Sequence, residues 1–166
     1  MKCFFDSVAK SGICWSWLIL LLIGIDQLTK RIAVGLFANI SHFKINQFLN
    51  LTLVKNPGAA FSFMANGHAW QILLLSAFAI SVICLLLYWL YKSKFDATLY
   101  NISLVFIVSG ATGNLIDRFK YGAVIDFIDL HISHFHWPTF NFADIIISIG
   151  AITYFFVNRK SGIDRI

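Results

Sequence analysis

AWQILLLSAFAISVICLLLYWLY, residues Ala69–Tyr91, is an apolar run without a single Asp, Glu, Lys or Arg. About 20 such residues cross the hydrocarbon core of a bilayer as a helix, and only a helix lets an isolated segment satisfy its own backbone N–H and C=O groups there. Working outward, three more runs stand at about Ile13–Ala33, Ala97–Ile116 and Phe142–Val157. The composition agrees: 58% of the 166 residues are hydrophobic and 13% charged, with a mean hydropathy of +0.75. An ordinary water-soluble domain does not have this balance. The sequence predicts an all-α polytopic membrane protein with four transmembrane helices, forming one domain over residues 1–166.

Four spans place both termini on the same side. Lys2 and Lys10, Lys92 and Lys94, and Arg159, Lys160 and Arg165 flank the ends that share that side, so the tails and the Tyr91–Asp96 turn are expected in the cytoplasm. Lys30, Arg31, Lys44 and Lys55 lie in or beside a longer outer segment, where charge counts less. The net charge of +5 suits anionic lipid headgroups and gives no reason to expect a nucleic-acid partner. The basic N-terminal start and its apolar stretch run directly into Asp26-Gln27-Leu28-Thr29-Lys30 without a small-x-small cleavage site, and are expected to remain as the first span. Cys3, Cys14 and Cys84 are odd in number and lack C-x-x-C spacing, so they predict neither a disulfide framework nor a metal cluster.

Two outer regions, Gly35–His68 and Asp117–Asn141, read as irregular. Within the first, Asn50-Leu51-Thr52-Leu53-Val54 alternates as a strand does, and Asn56-Pro57-Gly58 ends it as a turn. A small extracytoplasmic β element follows.

Ionisable groups in or beside a bilayer are costly, so the few present are the informative ones. Asp26 lies toward the outer end of the first span, Asp117 and Arg118 end the third, Asp126 follows in a loop, and Asp144 opens the fourth. All are expected at one membrane face, where Asn56 can join them. Gly110, Asn114, Asp117 and Arg118 recur at helical spacing, and Asn141, Asp144 and Ser148 form a matching stripe. A lone Asn or Ser in such a stripe serves equally well as interhelical glue. Two acids converging with Arg and Asn favour a site. Asp26 and Lys30 stand at i, i+4 in the order that favours a helix ion pair.

The sequence has no H-E-x-x-H, no His within a span to serve a Ser, and no Cys beside a His. Paired carboxylates remain. Held close, two aspartates share one proton, and together they can activate water and protonate a leaving amine. His131, His134 and His136, beside Phe135 and Trp137, read as interfacial or structural rather than metal-binding. Of Phe61, Phe63, Phe127, Phe140 and Phe142, only those beside the polar cluster are candidates for a lipid pocket.

At this point the residues resemble a family, the lipoprotein signal peptidases or signal peptidase II. Asp26-Gln-Leu-Thr-Lys30 resembles its D-x-x-x-K, and Asn56-Pro-Gly-Ala-Ala-Phe61 its N-x-G-A-x-F. Gly110-Ala-Thr-Gly-Asn-Leu-Ile-Asp-Arg118 is similar to its G-A-x-G-N-x-x-D-R, Val124-Ile-Asp-Phe127 to its V-x-D-F, and Phe140-Asn-Phe-Ala-Asp144 to its F-N-x-A-D. Ser109 stands where the family often has a second Gly.

The resemblance implies an aspartic endopeptidase of the bacterial inner membrane with Asp126 and Asp144 as its dyad. Asn56, Asn114, Arg118 and Asn141 would line the site, and Asp26, Lys30 and Asp117 would hold it together. The substrate it implies is a prolipoprotein carrying diacylglycerol on the Cys after its signal peptide, cut just before that Cys. No metal, nucleotide or organic cofactor is implied, and the expected partners are this precursor and membrane lipid, with the chain a monomer.

Position in the chain adds an expectation about charge. Asp144 falls in the first turn of the fourth span, where free N–H groups favour a negative charge. Asp126 is flanked by Val124, Ile125, Phe127 and Ile128, whose desolvation favours the protonated acid. The rival readings are an ion-coupled transporter, which would hold its acids near the midplane of a repeated architecture, and a non-catalytic lipid-binding or assembly subunit.

Overall fold

The computed structural model describes residues 11–38, 40, 42–58 and 69–163, the side chains of 69 and 160–163 excepted. Lys2, Lys10, Cys3, Arg165, the Lys160 side chain, Phe63 and the Ala59–Phe61 end of the second motif lie outside the described residues. A short 3-10 turn, Gly12–Trp15, leads into α1 (Ser16–Leu36). There follow β1 (His42–Lys44), β2 (Leu49–Asn56), α2 (Ala69–Lys92), α3 (Thr98–Tyr121), β3 (Val124–Ile132), β4 (Phe135–His136) and α4 (Phe142–Ile163). Among the described residues four helices are long and apolar enough to cross a membrane: Gly12–Leu36, Trp70–Lys92, Thr98–Tyr121 and Phe142–Arg159.

The four expected spans are therefore present, with ends a few residues beyond the apolar runs. The third runs well past its apolar stretch, to Tyr121. Its polar last turns continue the helix through Asp117 and Arg118 until Gly122 adopts a left-handed φ of 67° and its N–H closes on the Arg118 carbonyl at 3.0 Å.

Helix α3 packs against each of the other three. Leu104, Val105 and Val108 on α3 join Ile19 and Leu22 of α1, Leu86 and Leu90 of α2, and Ile146 of α4 in an apolar core. Close approach of α3 and α4 depends on glycine: a Cβ at Gly110 would stand 2.5 Å from the Ala143 carbonyl oxygen, and one at Gly150 would stand 2.8 Å from that of Ser103. The outward faces carry exposed apolar side chains such as Leu20, Leu73, Phe78 and Phe155, as a helix bundle in lipid requires.

The expected β element is larger than the alternation of residues 50–54 suggests. Strands β1, β2, β3 and β4 form an antiparallel sheet in that order. The region after α3, read as irregular, is mostly the β3–β4 hairpin, and Asp126 lies on a strand rather than in a loop. The apolar residues before Asp126 are explained by burial: Val124, Ile125 and Asp126 are all buried, while Phe127 and Ile128 after it are half-buried. Pairing places Val54 opposite Asp126 after a bulge in β2. A separate bridge joins Ile128 to Phe140, so the chain enters α4 beside Asp126.

Candidate active site

Asn141 and Asp144 form a reciprocal cap at the start of α4. The Asp144 N–H donates to Asn141 Oδ1 at 3.0 Å, and the Asn141 N–H donates to Asp144 Oδ2 at 3.1 Å, which satisfies orphan donors of the first turn. This leaves the Asn141 Nδ2 free to donate elsewhere. It reaches Asp126 Oδ1 at 2.7 Å and Asn114 Oδ1 at 3.1 Å. One asparagine thus touches both aspartates, one through its backbone and one through its side chain.

The remaining oxygens of the two acids are also held. Asn56 Nδ2 donates to Asp126 Oδ2 at 3.0 Å, and Asn114 Nδ2 donates to Asp144 Oδ1 at 2.9 Å. Asn56 is itself fixed by the turn foreseen after β2, since its Oδ1 accepts from the Gly58 N–H at 3.0 Å. Gly58 has a φ of 121°, a conformation glycine adopts without strain.

Behind these residues lies a buried ionic cluster. Lys30 Nζ contacts Asp26 Oδ2 at 2.9 Å and Asp117 Oδ2 at 2.7 Å, and donates to Asn114 Oδ1 at 2.9 Å. Asp26 Oδ1 accepts from the Ala143 N–H at 3.1 Å, so a carboxylate from α1 caps α4. Asp117 Oδ2 accepts from the Ile125 N–H at 3.2 Å, which ties α3 to the strand bearing Asp126. The i, i+4 pairing of Asp26 and Lys30 is present, and Asp117 is paired with Lys30 as well.

A cavity of about 420 Å³ opens over the aspartates. Asn56, Asn114, Arg118, Asp126 and Asp144 line it, together with apolar Leu75, Val124, Trp137 and Phe140. The Arg118 Nε is buried there without a hydrogen-bond partner. A groove of about 410 Å³ continues from Asp144 along Ile145, Ser148, Ile149 and Ile152 of α4, bordered by Leu130, Trp137 and Phe140. Ser148 thus belongs to the groove rather than to a helix contact. Phe142 packs against the apolar core. Phe140 borders both the cavity and the groove, while Phe61 and Phe63 are not described.

Burial pushes the Asp126 carboxyl up to about 6 from 3.8. The Asn56 hydrogen bond opposes this, the Asp144 charge adds to it, and the Asn141 bond and Lys30 oppose it.

Sequence reasoning missed Trp137, Leu75 and Gln27. Trp137 lines both spaces, and its place just before Phe140-Asn141 was the available signal. Leu75 lay unmarked within the apolar run of α2. Gln27 Nε2 bridges Asp117 Oδ1 at 3.0 Å, the Gly113 carbonyl at 3.2 Å and Asp26 Oδ2 at 3.2 Å, and it sat inside the quoted Asp26–Lys30 motif. Of the histidines, His136 Nδ1 pairs with Asp129 at 2.8 Å and its ring stacks on His131 at 5.0 Å. Among the described residues no three His, Cys, Asp or Glu side chains are grouped to hold a metal ion.

A sequence profile described as Signal peptidase (SPase) II matches residues 18–158, a stretch containing all five motifs and every residue of the cluster. The chain belongs to the signal peptidase II family. This is a family of aspartic peptidases, in keeping with two acids that meet on one asparagine. The lipoprotein signal peptidase of Yersinia enterocolitica is 40% identical over 149 residues, covering 90% of this chain and 88% of that protein. That of Yersinia pestis strain Pestoides F is 36% identical over 158 residues, covering 95% and 94%. Two solved bacterial membrane enzymes, determined by the in meso method at 2.3 and 1.9 Å resolution, superpose with TM-scores of 0.78 and 0.74 at 30% identity. The first covers 92% of both chains, and the second covers 89% of this chain and 94% of that one.

Proposed function

We propose that this signal peptidase II removes the signal peptide from diacylglyceryl-modified prolipoproteins in the bacterial inner membrane, cleaving just before the lipidated Cys. Asp126 and Asp144 are its catalytic dyad. The observation that carries this reading is the meeting of two carboxylates, from a strand and a helix start, on the buried Asn141, with both aspartates lining one cavity.

In the free enzyme Asp126 holds the shared proton, in keeping with its burial, and Asp144 holds the charge in the first turn of α4. Asp144 takes a proton from a water molecule as the water oxygen bonds to the scissile carbonyl carbon. Asp126 gives its proton to the carbonyl oxygen. Collapse of the tetrahedral intermediate then breaks the C–N bond, with the proton on Asp144 passing to the leaving amine and the hydroxyl proton returning to Asp126. Asn56, Asn114 and Asn141 keep the carboxyls in register, and Arg118 offers its unpartnered Nε to substrate. Asp26, Lys30 and Asp117 support them from behind.

The apolar groove beside Asp144 suits a lipid chain on the Cys, with the signal helix in the bilayer. Both termini are cytoplasmic and the dyad lies near the outer face, as the basic flanks indicate. Residues 1–166 act as one domain and as a monomer, the dyad and a water sufficing without a cofactor.

The test is proteolysis by the purified chain of a diacylglyceryl prolipoprotein, with the unlipidated precursor as control. Cleavage before the lipidated Cys is expected, abolished in both Asp126→Asn and Asp144→Asn while circular dichroism stays helical. Near-normal turnover by either variant removes that residue from the dyad. Turnover without regard to lipidation overturns the substrate assignment.

A further inference from the structure

Each asparagine that holds the dyad must present nitrogen to one group and oxygen to another, and in each case a fixed donor decides which way the amide faces. For Asn56 the donor is the Gly58 N–H, and for Asn141 it is the Asp144 N–H. Both are backbone groups. Asn114 differs, because its Oδ1 accepts from two side chains, Lys30 Nζ at 2.9 Å and Asn141 Nδ2 at 3.1 Å.

We propose that Lys30 is a positioning residue that acts through Asn114, holding its oxygen inward so that its nitrogen is committed to Asp144 Oδ1. Lys30 has three N–H bonds and three acceptors at 2.7–2.9 Å, on Asp26, Asp117 and Asn114. Two carboxylates would suffice to balance the buried ammonium, and the third proton goes to the amide. Turned over, Asn114 would set its NH2 group against the Lys30 ammonium and the Asn141 NH2 group, leaving two acceptor oxygens facing each other at Asp144. The outcome is that Asp144 has acceptor contacts on both oxygens, from Asn114 Nδ2 and the Asn141 N–H, which suits the partner that takes a proton from water.

This proposal rests on the assignment of Asp144 to the dyad. A purely structural Lys30 would lower the amount of folded enzyme and leave the rate of each folded molecule unchanged, so the test must separate the two. Lys30→Met/Asp117→Asn removes one charge of each sign, and Asp117→Asn alone is its reference. Loss of a hydrogen bond to a charged group at the reacting centre predicts a kcat about ten- to a hundredfold below the reference, with KM within about threefold. In an Asn114→Ala background the same removal of Lys30 should lower kcat by less than about threefold, because the route through Asn114 is already cut. Unchanged kcat in the first background, or an equal loss in both, overturns the proposal.

If the pair variant does not fold, Asn114→Asp serves instead, since it keeps an oxygen for Lys30 and turns a second one on Asp144. A tenfold or larger fall in kcat supports the orientation, and an unchanged kcat overturns it. Should the unmutated chain cleave no lipidated precursor, the functional reading fails by itself. The positioning is then read from the infrared carboxylate band that disappears in Asp144→Asn. That band should shift in the Lys30 variant and in Asn114→Ala alike, and a band unmoved by either overturns the proposal.

Discussion

Replacing Asp126 by Asn should remove a pH-dependent stability loss at the same time as it removes activity. Asp126 is 2% exposed, and burial raises its carboxyl from 3.8 to about 6 against the opposing bonds from Asn56 and Asn141. A carboxyl that is harder to ionise in the fold than in the unfolded chain contributes stability that is fully present below the unfolded pKa. That stability is lost as pH rises through the folded pKa. The window therefore runs from 3.8 to about 6. At about 1.4 kcal/mol per tenfold, the loss across it is on the order of 3 kcal/mol. Asn does not titrate. It does turn an NH2 group on one of the two amide donors, a pH-independent cost of about 1–3 kcal/mol. The wild-type protein should therefore be the more stable at about pH 4, with the difference shrinking or reversing by about pH 7, a swing of about 3 kcal/mol. Reversible unfolding in mixed micelles, followed by far-ultraviolet circular dichroism on both proteins, measures it. A difference that stays constant across this range, or widens with rising pH, refutes the reasoning.

Arg118→Lys keeps the charge at the cavity but loses the planar fork and its Nε, so kcat/KM for the lipidated precursor should fall about tenfold or more with little change in thermal midpoint; equal activity would mean that charge alone matters. Gly110→Ala would place a methyl 2.5 Å from the Ala143 carbonyl oxygen and 2.6 Å from Ile147 Cγ1, costing about 1–3 kcal/mol as α4 is forced from α3. Gly24, with nothing within 4 Å of its would-be Cβ, is the matched control. Unfolding midpoints of the two alanine variants that coincide would show that the α3–α4 contact tolerates the added methyl.

The four spans were legible in the chain because a bilayer leaves a long uncharged run one way to satisfy its backbone, so composition along the sequence carries the answer. The polar interruptions were equally legible. Asp26, Asn114, Asp117 and Asp144 stand in or directly beside those runs, at helical spacing from their polar neighbours, and the periodicity of a helix is a local property. Asp126 is the contrasting case. Val124–Ile128 is apolar on both sides of the acid, and such a run reads as strand, buried loop or short helix until its neighbours are known. Its strand exists because β2, some 70 residues earlier in the chain, supplies the pairing partners, and because Phe140 bridges Ile128. For the same reason no sequence spacing could reveal that Lys30 reaches Asn114, 84 residues away, or that Trp137 walls both cavities. Local periodicity placed the acids at one end of a helical bundle. Which oxygen accepts from which amide depends on distances between separate elements, and only the packing of α1, α3, α4 and the sheet determines these.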